Sequence, residues 1–505
     1  MSSIDSHRTS YGTLEDGGQQ TARSTSVDLG GNEHFERETR KAVRKIDMMI
    51  LPVMTAFYLL SFLDRANIGN ARVAGLQRDL GMSDHQYSVA VTVLFIPYIL
   101  SEIPANLLLR KIGPSILLPT LLTVWGIIVT LQGWVSTYAE LIVLRALLGA
   151  VEGPMAPGIV LYLSGFYTRK ELSLRVAIFF SAASLAGAFS GLLAAAIVLM
   201  DGLRGKAGWA WIFILEGTFT IVVGLLGFFL VPPSPEKARF LSTKQKELIL
   251  YRLNKDRPAT SPIYSRFSIR EVVRSITSPH VLLVATIFYL QGTNASGIAL
   301  FMPSIINQLG FGANESQLLS VGPYAGGIIV TLLSAFFSDR FNTRAIPIAM
   351  IYSLAVAGFA MYLGADDRYV RYGSLFLSVS GVYASTPIIY AWISNNSEPH
   401  YRRATSIALG VIATNSGGIT STWLYPSKDA PRFKKAIIIN LVFAILVMVV
   451  SAINSLILSR ANRLKREKRF KILAPYLERG VGESGGGMKA WTELGDRHPD
   501  YVYTI

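Results

Sequence analysis

Residues 139–163, AELIVLRALLGAVEGPMAPGIVLYL, decide how the chain must fold. The stretch is long enough to cross a bilayer as a helix and is almost wholly apolar, yet it carries Arg145 and Glu152 seven positions apart. Ionisable groups at that depth are costly and mark a substrate or ion path. Outward from it, apolar runs of similar length recur at 47–66, 86–107, 115–134, 174–200 and 210–231, and again at 280–303, 318–338, 345–363, 371–394, 403–424 and 434–459. A soluble core cannot hide that much hydrocarbon, so the sequence predicts an all-α integral membrane protein of about twelve transmembrane helices.

Composition agrees. Over 505 residues, 51% are hydrophobic and 16% charged, with a mean hydropathy of +0.39, which describes a polytopic membrane protein rather than a large enzyme. The chain has no cysteine, which removes disulfides, thiol nucleophiles and thiolate metal sites together. Its six histidines are scattered, and only His280 lies near apolar sequence, so no metal ligand set is expected. A Gly-x-Ser-x-Gly elbow with a partnered histidine and a phosphate-cradling Lys-Ser/Thr loop are both lacking. No enzyme and no cofactor is therefore expected, and the energy source should be an ion gradient. The net charge of +15 is concentrated in alternate loops, in RKAVRK before the first run, in the central loop and in SRANRLKREKRFK after the last. That bias places both termini in the cytosol and sets the basic clusters against anionic lipid, so the bilayer, and no nucleic acid, accounts for the charge.

Residues 1–46 begin without an apolar signal region and read as a disordered cytosolic tail. Residues 47–231 then form one six-helix bundle, 232–279 a cytosolic linker, 280–459 a second six-helix bundle and 460–505 a cytosolic C-terminal tail. Six, a linker and six is the pattern of a duplicated bundle. Phe57-Tyr58-Leu59 returns as Phe288-Tyr289-Leu290, and FFSDRFNTR after the eighth run takes the place of LLLRKIGPS after the second. Glycine and alanine punctuate the fifth run, SAASLAGAFSGLLAAAI, at spacings that suit close static packing or sliding helices. A monomer is expected.

The loop FFSDRFNTR, with Asp339, Arg340 and Arg344, resembles the major facilitator loop motif between the second and third helices of a half. The first-half copy has Arg110 where that motif usually has aspartate and keeps Gly113. Together with the preceding EIPAN it is similar to the fungal allantoate and nicotinate permease branch of the anion:cation symporters. Further matches are RKIDMMILPVMTAFYLLSFLDRANIGNA, RALLGAVEGPMAPG, WIFILEG, VPPSPEKARFLS, AWISNNSEPHYRRATSIALGVIATNSGGI and GDRHPDYVY. The resemblance implies a major facilitator fold whose halves rock about a site between them, and proton-coupled uptake of a small organic anion across a fungal plasma membrane. Export of a metabolite, exchange across an internal membrane and ligand sensing without turnover stay open as alternatives.

Positions 145, 149 and 152 share one helical face, so Arg145, Gly149 and Glu152 are expected at a common cavity, with Gly149 leaving room for a ligand or a neighbouring helix. The arginine fork suits a carboxylate, and the glutamate is a proton-coupling candidate. The alternative is an ion pair that merely pins the bundle. Asp64, with Arg65 in FLDRANIG, is a second coupling candidate or an interfacial anchor. Glu102 and Glu216 are expected near helix ends, paired with loop cations. Tyr58 and Tyr289 could stack on a flat ring, and Gln291, Asn294 and Asn415 could donate to a ligand or between helices. Asn314 in Asn-Glu-Ser is a glycosylation acceptor if its loop is outside. Nicotinate, allantoate and related vitamin or ureide acids are the substrates first expected.

Overall fold

The computed structural model describes residues 18–256, 269–341, 343–398, 400–430, 432–477, 490–491 and 493–505. Among these, twelve long helices succeed one another. The first six are α1 (Gly18–Val73), α2 (Asp84–Ile112), α3 (Pro114–Gln132), α4 (Tyr138–Ser164), α5 (Arg169–Ile197) and α6 (Gly208–Leu230). After a linker come α7 (Pro279–Gln308), α8 (Ala313–Phe341), α9 (Ala345–Gly364), α10 (Arg368–Asn395), α11 (His400–Thr422) and α12 (Lys434–Glu467). Among the described residues, nine helices are long and apolar enough to cross a membrane by length and composition. α2 and α5 also pack on the opposite half, α2 against α11 and α5 against α8 and α10. Conversely, Leu100, Phe229, Ile329, Ile346 and Leu456 stand exposed on the perimeter, a surface suited to lipid and not to water.

Local sequence sets the helix ends. Thr137 and Glu140 form a reciprocal capping box that starts α4, and Asp367 accepts from the Tyr369 and Val370 amides to start α10. Gly113 has φ 92°, a conformation closed to most side chains, and with Pro114 behind it turns the chain sharply from α2 into α3. Gly153 and Pro154 interrupt α4 between its two helical pieces, Tyr138–Glu152 and Met155–Ser164.

The packing repeats with the halves. α3 lies on α6 as α9 lies on α12; α2 on α4 as α8 on α10; α1 on α5 and α6 as α7 on α11 and α12. Across the divide, α5 meets α8 as α11 meets α2, and α1 meets α7. This is the duplicated two-bundle architecture that the six-linker-six pattern predicts. At the end of the molecule away from the linker, the bundles are pressed together. There the Gln317 amide donates to the Asn70 carbonyl at 3.4 Å, Ser88 donates to the Thr422 carbonyl at 3.1 Å, and the hydroxyls of Thr92 and Thr422 are 2.8 Å apart. Gly187 and Gly191 of α5 meet Tyr324, Ser320 and Gln317 of α8. The fifth-helix glycines therefore lie on the seam between the halves.

Two boundaries differ from the sequence expectation. α1 runs through position 46, because Ala42, Val43 and Ile46 are buried and the Phe35 ring meets Tyr251 of the linker helix Thr243–Asp256 at 5.8 Å. The linker is also structured. Its first helix is held to the first bundle by Arg252–Glu171 (2.5 Å), and its second, Ile269–Ile276, to the second bundle by Arg402–Glu271 (2.6 Å).

Candidate functional site

The polar centre of the first bundle is built on α1. Ser61, Asp64 and Arg65 recur at helical spacing on one side, and Asn67 turns towards α6. Glu152 is 1% exposed, and its Oε1 accepts from Ser61 Oγ at 2.6 Å and from Arg65 Nε at 2.5 Å. The Arg65 guanidinium also lies 4.6 Å from the centre of the Tyr98 ring of α2 and 5.5 Å from that of Phe62. Its side chain is 18% exposed, so it is the better exposed of the two central guanidinium groups.

Arg145 is 1% exposed and sits deeper, 5.6 Å from the Phe213 ring centre and close to Asp64, Tyr87 and Glu152. Its Nε and Nη2 have no hydrogen-bond partner among the described residues. The Arg145–Glu152 hydrogen bond weighed from the sequence does not form; Glu152 is taken by Arg65 across the α1–α4 contact. Gly149 serves the neighbouring helix, since a Cβ there would strike the Leu94 carbonyl, and Gly153 meets Tyr98 in the same way. The glycines let α4 approach α2 closely enough to set its ionised face against α1.

Behind this pair, Asn67 Nδ2 bridges two carboxyl groups, donating to Glu216 Oε2 at 2.5 Å and to Asp64 Oδ1 at 3.3 Å. The other oxygens, Asp64 Oδ2 and Glu216 Oε1, are buried without a hydrogen bond. Glu216 is 5% exposed within α6 and Glu102 is fully buried in α2 beside Tyr98 and Tyr390. This corrects their expected place near helix ends. Asp64 likewise lies inside α1, nine residues before its end at Val73, and not at an interface. Loops lie further out than hydropathy drew them at α1 and α2, which extend past the apolar runs, whereas α6 nearly coincides with its run and Glu216 lies well inside it.

From the second bundle, Tyr390 of α10 lies near Tyr58, Tyr98 and Arg65, and packs edge-on to Phe288 at 4.6 Å. Tyr58 stacks at 4.1 Å on Phe179. Gln291 donates to Thr386 at 2.9 Å, and the Tyr289 hydroxyl meets that of Thr420 at 2.9 Å. Asn415 turns back to the Val411 carbonyl of its own helix. Asn294 is fully buried with both amide atoms unpartnered. The structure thus gathers Tyr58, Asp64, Arg145 and Glu152 about Arg65, whereas Tyr289, Gln291, Asn294 and Asn415 belong to the second bundle's interior. Arg65, Glu216 and Tyr390 are the members that sequence reasoning undervalued; FLDRANIG and WIFILEG carried the first two.

Elsewhere, Arg344 is buried, donating to Ser338 Oγ at 2.7 Å, and Arg340 is exposed at the end of α8. The side chains of Arg110 and Asp339 lie outside the described residues. Asn314 is exposed in the first turn of α8, while Ser316 is buried and donates to the Gly312 carbonyl at 2.7 Å. His280 is buried with Nδ1 3.0 Å from Asn454 Oδ1, a packing role.

Residues 54–422 match the family model of the Major Facilitator Superfamily. The MFS-type transporter efuF of Hormonema carpetanum is 32% identical over 431 residues, covering 85% of this chain and 86% of that protein. The high-affinity nicotinic acid transporter of Saccharomyces cerevisiae is 31% identical over 466 residues, 92% of this chain and 84% of that one. Among solved structures, a bacterial homologue of the lysosomal transporter Spinster, in an inward-facing and unoccupied conformation, aligns with a TM-score of 0.65 at 14% identity, over 80% of this chain and 96% of that one. The partially occluded, inward-open xylose transporter XylE from E. coli aligns with a TM-score of 0.60 at 16% identity, over 80% and 97%. Twelve helices in two like-packed bundles, and a family match across most of their length, make this chain a member of the Major Facilitator Superfamily, a multi-pass membrane transporter and not an enzyme.

Proposed function

We propose that the protein imports a small organic anion together with protons by alternating access, and belongs to the allantoate and nicotinate permease branch of the anion:cation symporters. The sequence motifs and the nicotinic acid transporter among its relatives support a carboxylate substrate. The observation that carries the reading is the position of Arg65, half-committed to Glu152 and stacked on Tyr98 where the bundles meet. A carboxylate arriving there competes with Glu152 for the guanidinium. Glu152, released from Arg65 and held by Ser61, then becomes the proton acceptor, so that anion and proton load together.

The charge balance points the same way. Arg65 pairs with Glu152 and Arg145 lies close to Asp64, while Glu216 is tied to Asp64 through Asn67 and Glu102 lies beside Tyr98; Tyr87 on α2 and Trp125 on α3 are the remaining polar neighbours. Four buried carboxyls against two guanidinium groups need two protons for neutrality, and a bound anion needs another. The Asp64–Asn67–Glu216 bridge gives a resting proton a place behind the anion, and Glu152 takes the one that loads with it. Tyr58, Tyr98 and Tyr390 supply ring faces for an aromatic acid such as nicotinate. Basic residues at the linker end support a cytosolic reading of that end, on which the closed far end faces outward and the arrangement is inward-facing; the plasma membrane is part of the same proposal.

The test is uptake of radiolabelled organic acids at external pH 5 and 7 by cells expressing the wild type or Arg65→Lys. Acid-stimulated accumulation lost in the variant supports the reading; export of a preloaded compound, or ligand binding without uptake, overturns it.

A further inference from the structure

The last residues of the chain are bound as a peptide would be. Asn396, at the end of α10, makes a paired contact with the backbone of Thr504: its Oδ1 accepts from the Thr504 amide at 2.8 Å and its Nδ2 donates to the Thr504 carbonyl at 2.9 Å. Asn462 of α12 does the same with Tyr503, at 2.9 Å in both directions. Two carboxamides thus read two consecutive peptide units, as the neighbouring strand of a sheet would. Trp392 Nε1 adds a bond to the Thr504 carbonyl at 3.0 Å. Lys465 Nζ donates to the Tyr501 carbonyl at 2.9 Å and to that of Asp496, and lies 3.4 Å from the Tyr503 ring centre. The Tyr501 hydroxyl donates to the Asn395 carbonyl, and the Arg344 amide to the Ile505 main-chain oxygen at 2.6 Å. Buried Arg402 pairs on one side with Asp496 and on the other with Glu271 of the second linker helix.

We propose that the linker-end faces of α10, α11 and α12 form a peptide-binding groove whose ligand is the chain's own segment 495–505, and that this segment is a releasable strap that makes the second bundle a rigid body. The recognition is largely through main-chain atoms and fixed side-chain amides, the chemistry of a bound extended peptide and not of an interdigitated core. The strap joins the α8–α9 turn through Arg344, α10 through Trp392, Asn395 and Asn396, α12 through Asn462 and Lys465, and the linker through Arg402. Trp392 and Asn396, at the C-terminal end of α10, lie within two turns of Tyr390, so the strap holds the helix that brings Tyr390 to Arg65. Rocking transport requires each bundle to move as a unit; strap release should slow it whatever the substrate.

A specific protease site placed within 478–489 of the otherwise intact chain allows the strap to be cut after folding. The probe is a fluorescein-labelled synthetic peptide of residues 490–505. The expected results are exchange of the cut strap for the peptide, at least tenfold weaker binding in Asn396→Ala/Asn462→Ala, and transport that falls at least threefold after cutting and washing and returns when peptide is added. A chain ending at residue 494 should bind the same peptide if it folds. A cut segment that never exchanges, exchange unaffected by the double substitution, or transport indifferent to strap loss would overturn the proposal. Because the readout is strap exchange and relative transport, it can fail while the anion reading stands, and the reverse.

Discussion

Replacing Glu152 by glutamine separates anion binding from proton coupling. In the wild type, Glu152 Oε1 takes the Arg65 Nε proton at 2.5 Å and the Ser61 hydroxyl at 2.6 Å. Glutamine keeps an acceptor oxygen but removes the charge that competes with an incoming carboxylate. Removing one partner of a buried ion pair costs about 3–5 kcal/mol, but the 18% exposure of the Arg65 side chain and the retained acceptor reduce this to about 1–3 kcal/mol. That residual attraction becomes available to the ligand, so the anion should bind about ten- to a hundredfold more tightly, since each 1.4 kcal/mol is tenfold. The proton site at 152 is gone at the same time. Binding measured by scintillation proximity should become tighter and lose its pH dependence; counterflow exchange should persist, and uphill accumulation should fail. A Glu152→Gln protein that still concentrates substrate in response to an acid exterior would refute the coupling role.

Four other outcomes follow from the packing. Because the chain has no cysteine, Thr92→Cys/Thr422→Cys can be oxidised across the bundles, whose hydroxyls are 2.8 Å apart; the disulfide should stop transport and a reductant should restore it, whereas continued turnover in the cross-linked protein would contradict a moving seam. Gly149→Val should force α4 from α2 at Leu94 and cost about 1–3 kcal/mol, seen as a lower Tm in detergent, and an unchanged Tm would show the contact to be slack. Asn67→Leu should strip Asp64 and Glu216 of their shared donor at about 1–3 kcal/mol per group, seen as a lower Tm in detergent; an unchanged Tm would show that the bridge contributes nothing to stability. Burial beside Trp491 holds His498 below the usual imidazole range, against the pull of Asp500 and with the push of Arg469 and Lys465, so the docked strap favours neutral histidine and its affinity should fall as pH drops through 6.5; equal affinity of the labelled peptide at pH 7 and 5.5 would count against this.

The bundle was legible because bilayer-spanning helices leave a long, nearly unmistakable apolar trace, and Arg145 with Glu152 broke that trace visibly. What the trace could not give is partnership. Which residues share a helix face is read from spacing, but that Glu152 pairs with Arg65 of α1 and not with Arg145 of its own helix depends on how α2 and α4 close over Gly149 and Gly153. Glu216 was discounted for lying near an apparent end; it is the ninth residue of α6 and buried, and Asn67 reaches it from another element. The polar amides of the second bundle looked like ligand donors, yet Asn415 bonds its own helix and Gln291 a neighbour, the usual fate of such groups between helices. The segment GDRHPDYVY stood out as a motif without a role because its partners, Asn395, Arg402 and Asn462, are far from it in sequence.

The account's central claim is that an organic anion and protons enter together. Its most direct test is to reconstitute the protein in liposomes with a trapped pH dye, clamp the voltage, and add nicotinate and then allantoate outside. Internal acidification that follows the anion, saturates with it and is absent in Glu152→Gln is the predicted result; anion entry with no proton movement in the wild type would contradict it.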